Sequence, residues 1–309
     1  MKLKLSFIFL LTGQILFAQQ KLPVIKATSK KVDIRDGNIL KKAIWNISPE
    51  LKPDLYETPN KNKKVTFYTN LDSISFIVKP NEKYNFIILL NNKDSALTQI
   101  AYKPSNLEIL KNADKYNYND NRLITKFTYE SMNDSALIKI RKVFNLDSII
   151  GTGNEISQII NLLHWAHNTY PHDGTKDVPK YKSTLDLMTI SKKEYRTLDC
   201  GSLANVLNKC YLALGFKSRR VICLPKDSTD FDCHSINTVY SKTYNKWLWI
   251  DPTNDAYVMN EKGELLSIAE VRERLINDMP LIVNPDANWN HKMSTIKEEY
   301  LYNYMAKNL

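Results

Sequence analysis

A cysteine at the start of a helix is a candidate nucleophile, and residues 197–210, TLDCGSLANVLNKC, hold one. Leu203, Val206 or Leu207, Cys210 and Leu214 recur at helical spacing and predict a buried stripe, with Gly215 as the stop. Cys200 falls at the first turn, facing free backbone N–H groups and the positive end of the helix dipole. Both favour thiolate over thiol, and the thiolate is the nucleophile. The Cys200 N–H is a natural oxyanion donor, and Gly201 leaves room for a substrate backbone. Two plainer roles stay open for Cys200 at this point, a packed thiol and half of a disulfide.

A nucleophilic cysteine needs a base, and the base needs an orienter. The five histidines are His164, His167, His172, His234 and His291. His164 and His167 lie three apart on one predicted helix without a suitably spaced third ligand, so packing or capping is expected of them rather than metal binding. His172 sits in the turn YPHDG and His291 in an Asn-rich loop. His234 heads an alternating strand that runs to Tyr240. A second strand, Lys246 to Asp251, ends at Pro252. The two flank SKTYN and read as a hairpin. Facing positions in an antiparallel pair sum to a constant, so His234 and Asp251 share a face only if the loop has an even number of residues. Loops of two or four residues are common. Asp251 would then hold the His234 tautomer. Taken singly, His234 is a half-buried strand residue and Asp251 opens an Asp-Pro-Thr turn. The order helix-Cys, strand-His, hairpin, strand-Asp favours a Cys200–His234–Asp251 triad.

The elements that must carry this site fall in two parts. Residues 30–112 read as a small β-sandwich-like domain. KVTFYTN, SISFIV, YNFIILL and TQIAYKP are β-branched and aromatic runs between Asn, Asp, Pro and Lys clusters. This part has no His and no Cys, and a binding or spacer role is expected of it. After a polar joint at 111–122 the pattern turns helical, in 134–145, in 154–170 and after Cys200. Three strands follow in quick succession, and the tail returns to helix in 267–277 and 295–307. Helices followed by antiparallel strands make an α+β domain over 120–309. With only 8 glycines and no Gly-x-Gly-x-x-Gly turn, no phosphate-cradling loop is expected.

These residues resemble the transglutaminase-like superfamily, cysteine acyltransferases with a papain-like core. The resemblance rests on Cys200-Gly201 at a helix start, Ala204, ALGFKSRRV at 213–221, His234 with Asn237, and Trp247 through Asp251-Pro252-Thr253. It covers about residues 155–255, and 256–275 looks like the continuation found in exported bacterial members. It implies Cys200 as nucleophile, His234 as base and acid, and Asp251 as orienter; no cofactor and no metal are expected. Ile236 and Thr238 stand where the family often has Trp and Glu.

With Cys200 free, at most one disulfide fits among Cys210, Cys223 and Cys233, and Cys210–Cys223 is the pairing to consider. Strand alternation from His234 sends Cys233 to the opposite face, as a core thiol. A zinc site from Cys210, Cys223, Cys233 and His234 lacks paired CxxC spacing.

Residues 1–18 carry Lys2 and Lys4, a short apolar run and a small residue at Ala18, the pattern of a cleavable secretory signal. The expected location is secreted or periplasmic, without a transmembrane span. The net charge is +10, about +8 without the signal, with basic residues scattered among Asn and acids. That favours acidic envelope or cell-wall polymers and gives no ground for nucleic-acid binding. The expected activity is thiol-dependent attack on a peptide or glutaminyl amide, by hydrolysis or acyl transfer. The rival is a catalytically silent binding or structural protein of the cell envelope.

Overall fold

The computed structural model describes residues 21–123 and 126–309; the expected signal lies outside them. No described helix is long and apolar enough to cross a membrane. The chain forms two compact units, one up to Pro104 and one from Ser105 to Leu309.

The first unit is all β. Its strands are β1 (Val24–Ala27), β2 (Lys31–Asp36), β3 (Ile39–Asn46), β4 (Asp54–Thr58), β5 (Lys63–Tyr68), β6 (Ser73–Val78), β7 (Lys83–Leu90) and β8 (Asp94–Tyr102). They form two four-stranded sheets, ordered β1-β7-β8-β4 and β3-β2-β5-β6. Alternation decides what is inside: Phe86, Ile88 and Leu90 of β7 and Ala96 and Ile100 of β8 join Ile34, Val65 and Phe67 in one buried cluster. β3 has no fully buried residue, and its lysines sit on a sheet edge, where charge deters edge-to-edge pairing.

The second unit runs α1 (Asn106–Lys111), α2 (Ser135–Val143), α3 (Leu146–Ile150), α4 (Glu155–Thr169), α5 (Thr184–Glu194) and α6 (Cys200–Ala213). Then come β9 (Ser218–Cys223), β10 (His234–Ser241), β11 (Lys246–Asp251), β12 (Ala256–Met259), α7 (Ile268–Ile276), β13 (Ile282–Val283), β14 (Asn288–Trp289) and β15 (Met293–Ser294). Side-chain caps start the main helices: Asp134 for α2, Asn154 for α4, Ser183 for α5, Asp199 for α6, and a Ser267–Glu270 capping box for α7.

β13-β12-β11-β10-β9 form one antiparallel sheet. It has a core on each face, so β10 and β11 are apolar on both sides. Val239, Leu248 and Ile250 pack with Leu163, Leu203 and Leu207 of the helices. Ile236 and Trp249 pack with Val271, Leu275, Leu301 and Met305 on the other face. Period two along β10 therefore puts Asn237 and Val239 toward α6, and His234 and Ile236 away from it. The segment 295–307, expected as one helix, is π-helical over Glu298–Tyr304 and tightens to a 3-10 turn over Met305–Lys307. π-Helical turns gather at functional sites, and this one supplies two tyrosines to the site below.

Candidate active site

Cys200 is the first residue of α6. Asp199 caps the helix, its side chain accepting from the Ser202 N–H at 2.6 Å. The helix is held to the sheet by Asn237, whose Nδ2 donates to the Ala204 carbonyl at 2.9 Å. Asn237 is fully buried and plays a packing part. A Cβ on Gly201 would meet Asp199 Oδ1 at 3.5 Å and Arg220 Nη1 at 3.7 Å, ordinary contacts, so the fold does not demand glycine there.

The β10–β11 hairpin has a four-residue loop, because Ser241 pairs with Lys246. That even count places His234 and Asp251 on one face. His234 Nε2 lies 2.8 Å from Asp251 Oδ2, with both residues almost wholly buried. The loop is clamped by Glu155 at the start of α4, which accepts from Ser241 Oγ and from the Lys242 and Thr243 N–H groups at 2.8–2.9 Å. Burial raises the Glu155 pKa, and those hydrogen bonds outweigh it, leaving about 2.

Asp251 is saturated with donors. Besides His234 it accepts from the Tyr300 hydroxyl at 2.7 Å, Asn254 Nδ2 at 3.0 Å and the Thr253 N–H at 2.9 Å. Trp249 Nε1 donates to the Tyr300 oxygen at 3.1 Å. The Tyr304 ring meets His234 edge-on, centroids 5.4 Å apart. Burial would raise the Asp251 pKa, but the His234 charge and these hydrogen bonds bring it down to about 2.

The thiol is half-buried. Burial raises its pKa; hydrogen bonds with His172 and His234, the His234 charge and the Ser235 N–H more than offset this, leaving about 6. Burial lowers the His234 pKa, while the Asp251 charge and hydrogen bond and the Cys200 thiolate raise it to about 10. A thiolate–imidazolium pair is thus the stable form between those two values, which belong to the coupled pair. Alkylation by iodoacetamide should report this. Its rate at Cys200 is expected to climb as pH rises through about 6, well below an ordinary thiol near 8.5. Peptide mapping of the labelled site against pH checks it.

The other thiols are free as well. Cys210 and Cys223 lie in the cores on opposite faces of the sheet, so the Cys210–Cys223 bridge is not formed. Burial pushes the Cys223 pKa up to about 12 and that of Cys210 higher still. Cys233 corrects the expectation of a core thiol. β10 begins only at His234, so alternation does not reach back one residue. Cys233 instead lies in a turn, its N–H bonded to the Phe231 carbonyl, half-exposed and facing the same cavity as Cys200.

That cavity measures about 1040 Å³ and is lined by His172, Cys200, Gly201, Arg220 and His234 among others. Large apolar side chains stand exposed around it: Ile222, Phe231, Met293 and Ile296.

His164 and His167 do not converge on one ligand. His167 is buried with Nδ1 3.0 Å from the Pro252 carbonyl and Nε2 3.0 Å from Asn288 Oδ1. His164 Nδ1 sits 2.7 Å from Asp255, and Asp286 is 3.6 Å from its Nε2. His164, Asp255 and Asp286 are the one group among the described residues with metal-ligand atoms within 4.8 Å of each other. The hydrogen bonds of His164 to Asp255 account for its closeness.

Sequence reasoning missed His172, Trp289, Asn254 and Tyr300. Asn254 directly follows the Asp251-Pro252-Thr253 motif and was within reach. Tyr300 and Trp289 lie in stretches without a distinguishing pattern, and only the fold brings them in.

No known family profile matches the chain, and no curated protein matches it. Among solved structures, a candidate cysteine protease from Cytophaga hutchinsonii aligns with TM-score 0.31 and 17% identity. That alignment covers 57% of this chain and 59% of the other, so the likeness spans less than two thirds of that protein. The periplasmic domain of TgpA from Pseudomonas aeruginosa, solved bound to ethylmercury, aligns with TM-score 0.28 and 11% identity, over 74% of this chain and 90% of its own.

Proposed function

We propose that this chain is an exported cysteine-dependent amide-bond enzyme with a transglutaminase-like, papain-like core, acting through a thioester on Cys200. The observation that carries the reading is a buried His234 bonded to Asp251 and lining, together with the Cys200 thiol, one large cavity. Asp251 takes Nε2, which leaves Nδ1 as the nitrogen that exchanges a proton with sulfur.

The Cys200 thiolate attacks a carboxamide carbon, and the carbonyl electron pair moves to oxygen beside the Cys200 N–H. On collapse the C–N bond breaks and His234 gives its proton to the amine that leaves. Water then enters; its proton passes to His234, its oxygen attacks the thioester, and sulfur departs as thiolate. A primary amine in place of water gives acyl transfer. Hydrolysis is the default, since water is abundant and no amine site is identified. The exposed apolar rim suits peptide or protein substrates with apolar side chains near the reacting carbonyl. The basic charge suits substrates held in acidic envelope polymers.

Intact-mass analysis after exposure to peptide amides and to p-nitrophenyl acetate tests the reading. An acyl adduct mapped to Cys200 is expected. No adduct with any probe, together with a thiol that titrates at an ordinary value, would leave the binding-protein reading standing.

A further inference from the structure

We propose that His172 is a second catalytic histidine, one that donates from Nε2 to the substrate carbonyl oxygen as that oxygen takes up negative charge. This rests on the reading of Cys200 as nucleophile. It concerns a residue of the turn YPHDG that the triad does not use.

Position comes first. His172 and Leu198 form a parallel bridge, with the Asp173 N–H donating to the Leu198 carbonyl and the Leu198 N–H to the Pro171 carbonyl, both at 2.9 Å. The histidine is thereby fastened to the segment that ends in Asp199 and Cys200. Asn290 fixes the same backbone from the other side: its Oδ1 accepts from the His172 N–H and its Nδ2 donates to the His172 carbonyl, each at 2.7 Å. From this mount the ring lines the same cavity as the Cys200 thiol.

The proton's location follows from Trp289. Its indole N–H donates to His172 Nδ1 at 3.0 Å. An indole nitrogen only donates, so Nδ1 must offer its lone pair and the ring proton resides on Nε2. An imidazolium would set two N–H groups against each other. With one lone pair engaged by Trp289 and the other nitrogen protonated, His172 has nothing with which to accept a proton. It can only give a hydrogen bond. His234 has the opposite polarity, its Nε2 facing an acceptor, Asp251. Two histidines therefore flank one thiol: His234 moves a proton, and His172 keeps one.

Gly174 leaves the donating edge open. A Cβ there would stand 3.7 Å from His172 Cε1 and 3.8 Å from Nε2, so glycine keeps side-chain atoms off that edge of the ring.

In the attack, the C–S bond forms and the carbonyl π pair moves to oxygen. Charge leaves sulfur for an oxygen two bonds away, in the cavity that the His172 ring lines. The Cys200 N–H supplies the second hydrogen bond. Collapse returns the pair to the carbonyl, breaks C–N, and takes the proton from His234. His172 is unchanged at the end.

The test compares two reactions of the same thiol. Acylation by p-nitrophenyl acetate builds an oxyanion, and alkylation by iodoacetamide does not. Both are followed at about pH 9, where thiolate predominates. His172→Phe is expected to lower the acylation burst rate by ~10²-fold and alkylation by no more than about threefold. His172→Gln, which keeps a side-chain N–H, should fall between wild type and the Phe variant. Trp289→Phe should lose about tenfold in acylation alone, because the tautomer is no longer imposed. Equal losses in both reactions, or unchanged acylation, would overturn the proposal. If His172→Phe unfolds, alkylation of the buried Cys210 reveals it, and the Gln and Trp289 variants decide by the same ratio. A wild-type protein with no burst would sink the nucleophile reading and this inference together. A wild-type burst with unaltered ratios sinks this inference alone.

Discussion

Cys200→Ala is expected to remove acylation by p-nitrophenyl acetate, a loss on the order of 10⁶-fold in rate constant, as when a catalytic nucleophile is deleted. The fold should survive, since the side chain is only half-buried at a helix start, and stability should change by less than about 1 kcal/mol. The control is Cys233→Ala, which removes the other thiol of the same cavity. Cys233 lacks the place at the helix start, and its loss should leave the burst within about threefold of wild type. If the burst persists in Cys200→Ala and vanishes in Cys233→Ala, the nucleophile has been assigned to the wrong sulfur. Burst amplitude and the mass of the acylated peptide measure both variants.

Asp251→Ala should be damaging in a second way, by unfolding. It leaves a buried imidazole, the Tyr300 hydroxyl, the Asn254 amide and the Thr253 N–H without their acceptor. Breaking a buried ion pair by removing one partner costs about 3–5 kcal/mol, read as a fall in the denaturant midpoint. Asp251→Asn keeps the shape and one acceptor oxygen, so it should lose less stability. Its activity should still drop by roughly 10³–10⁴-fold because the amide cannot stabilise the imidazolium. An Asp251→Ala protein within about 1 kcal/mol of wild type would mean that the carboxylate is not the keystone described here. The pH dependence has a definite sign. The Asp251 pKa is depressed in the folded state, so its contribution is complete above about 3.9 and is lost as pH falls toward about 2.

Much of this was legible in the chain because chemistry and periodicity coincide there. The helix from Cys200 announces itself by its stripe and its stop, while its Asp199 cap is evident only in the structure. The His234 and Asp251 strands were readable from alternation and Pro252, and parity supplied the rest. Other parts were not legible for physical reasons. α5 has an irregular apolar pattern, with Leu187 and Met188 buried beside several polar residues, so periodicity barely marks it. β3 carries two lysines and buries none of its residues fully, so it lacks the strand signature. His172 is a turn residue whose importance comes from Trp289 and Asn290, more than a hundred positions away. Cys233 escapes strand alternation because β10 begins only at His234.

The four-residue loop at 242–245 also limits how this protein can drift. Changes in its length act through their parity. Two residues more or fewer would return the imidazole to the carboxylate, whereas one would turn it toward α6 and bring a core residue into its place. Only a compensating bulge could rescue a single-residue change. Glu155 narrows the choice further, because it grips Ser241, Lys242 and Thr243 as a set. A turn remote from the thiol thus sets the register on which the His234–Asp251 hydrogen bond depends.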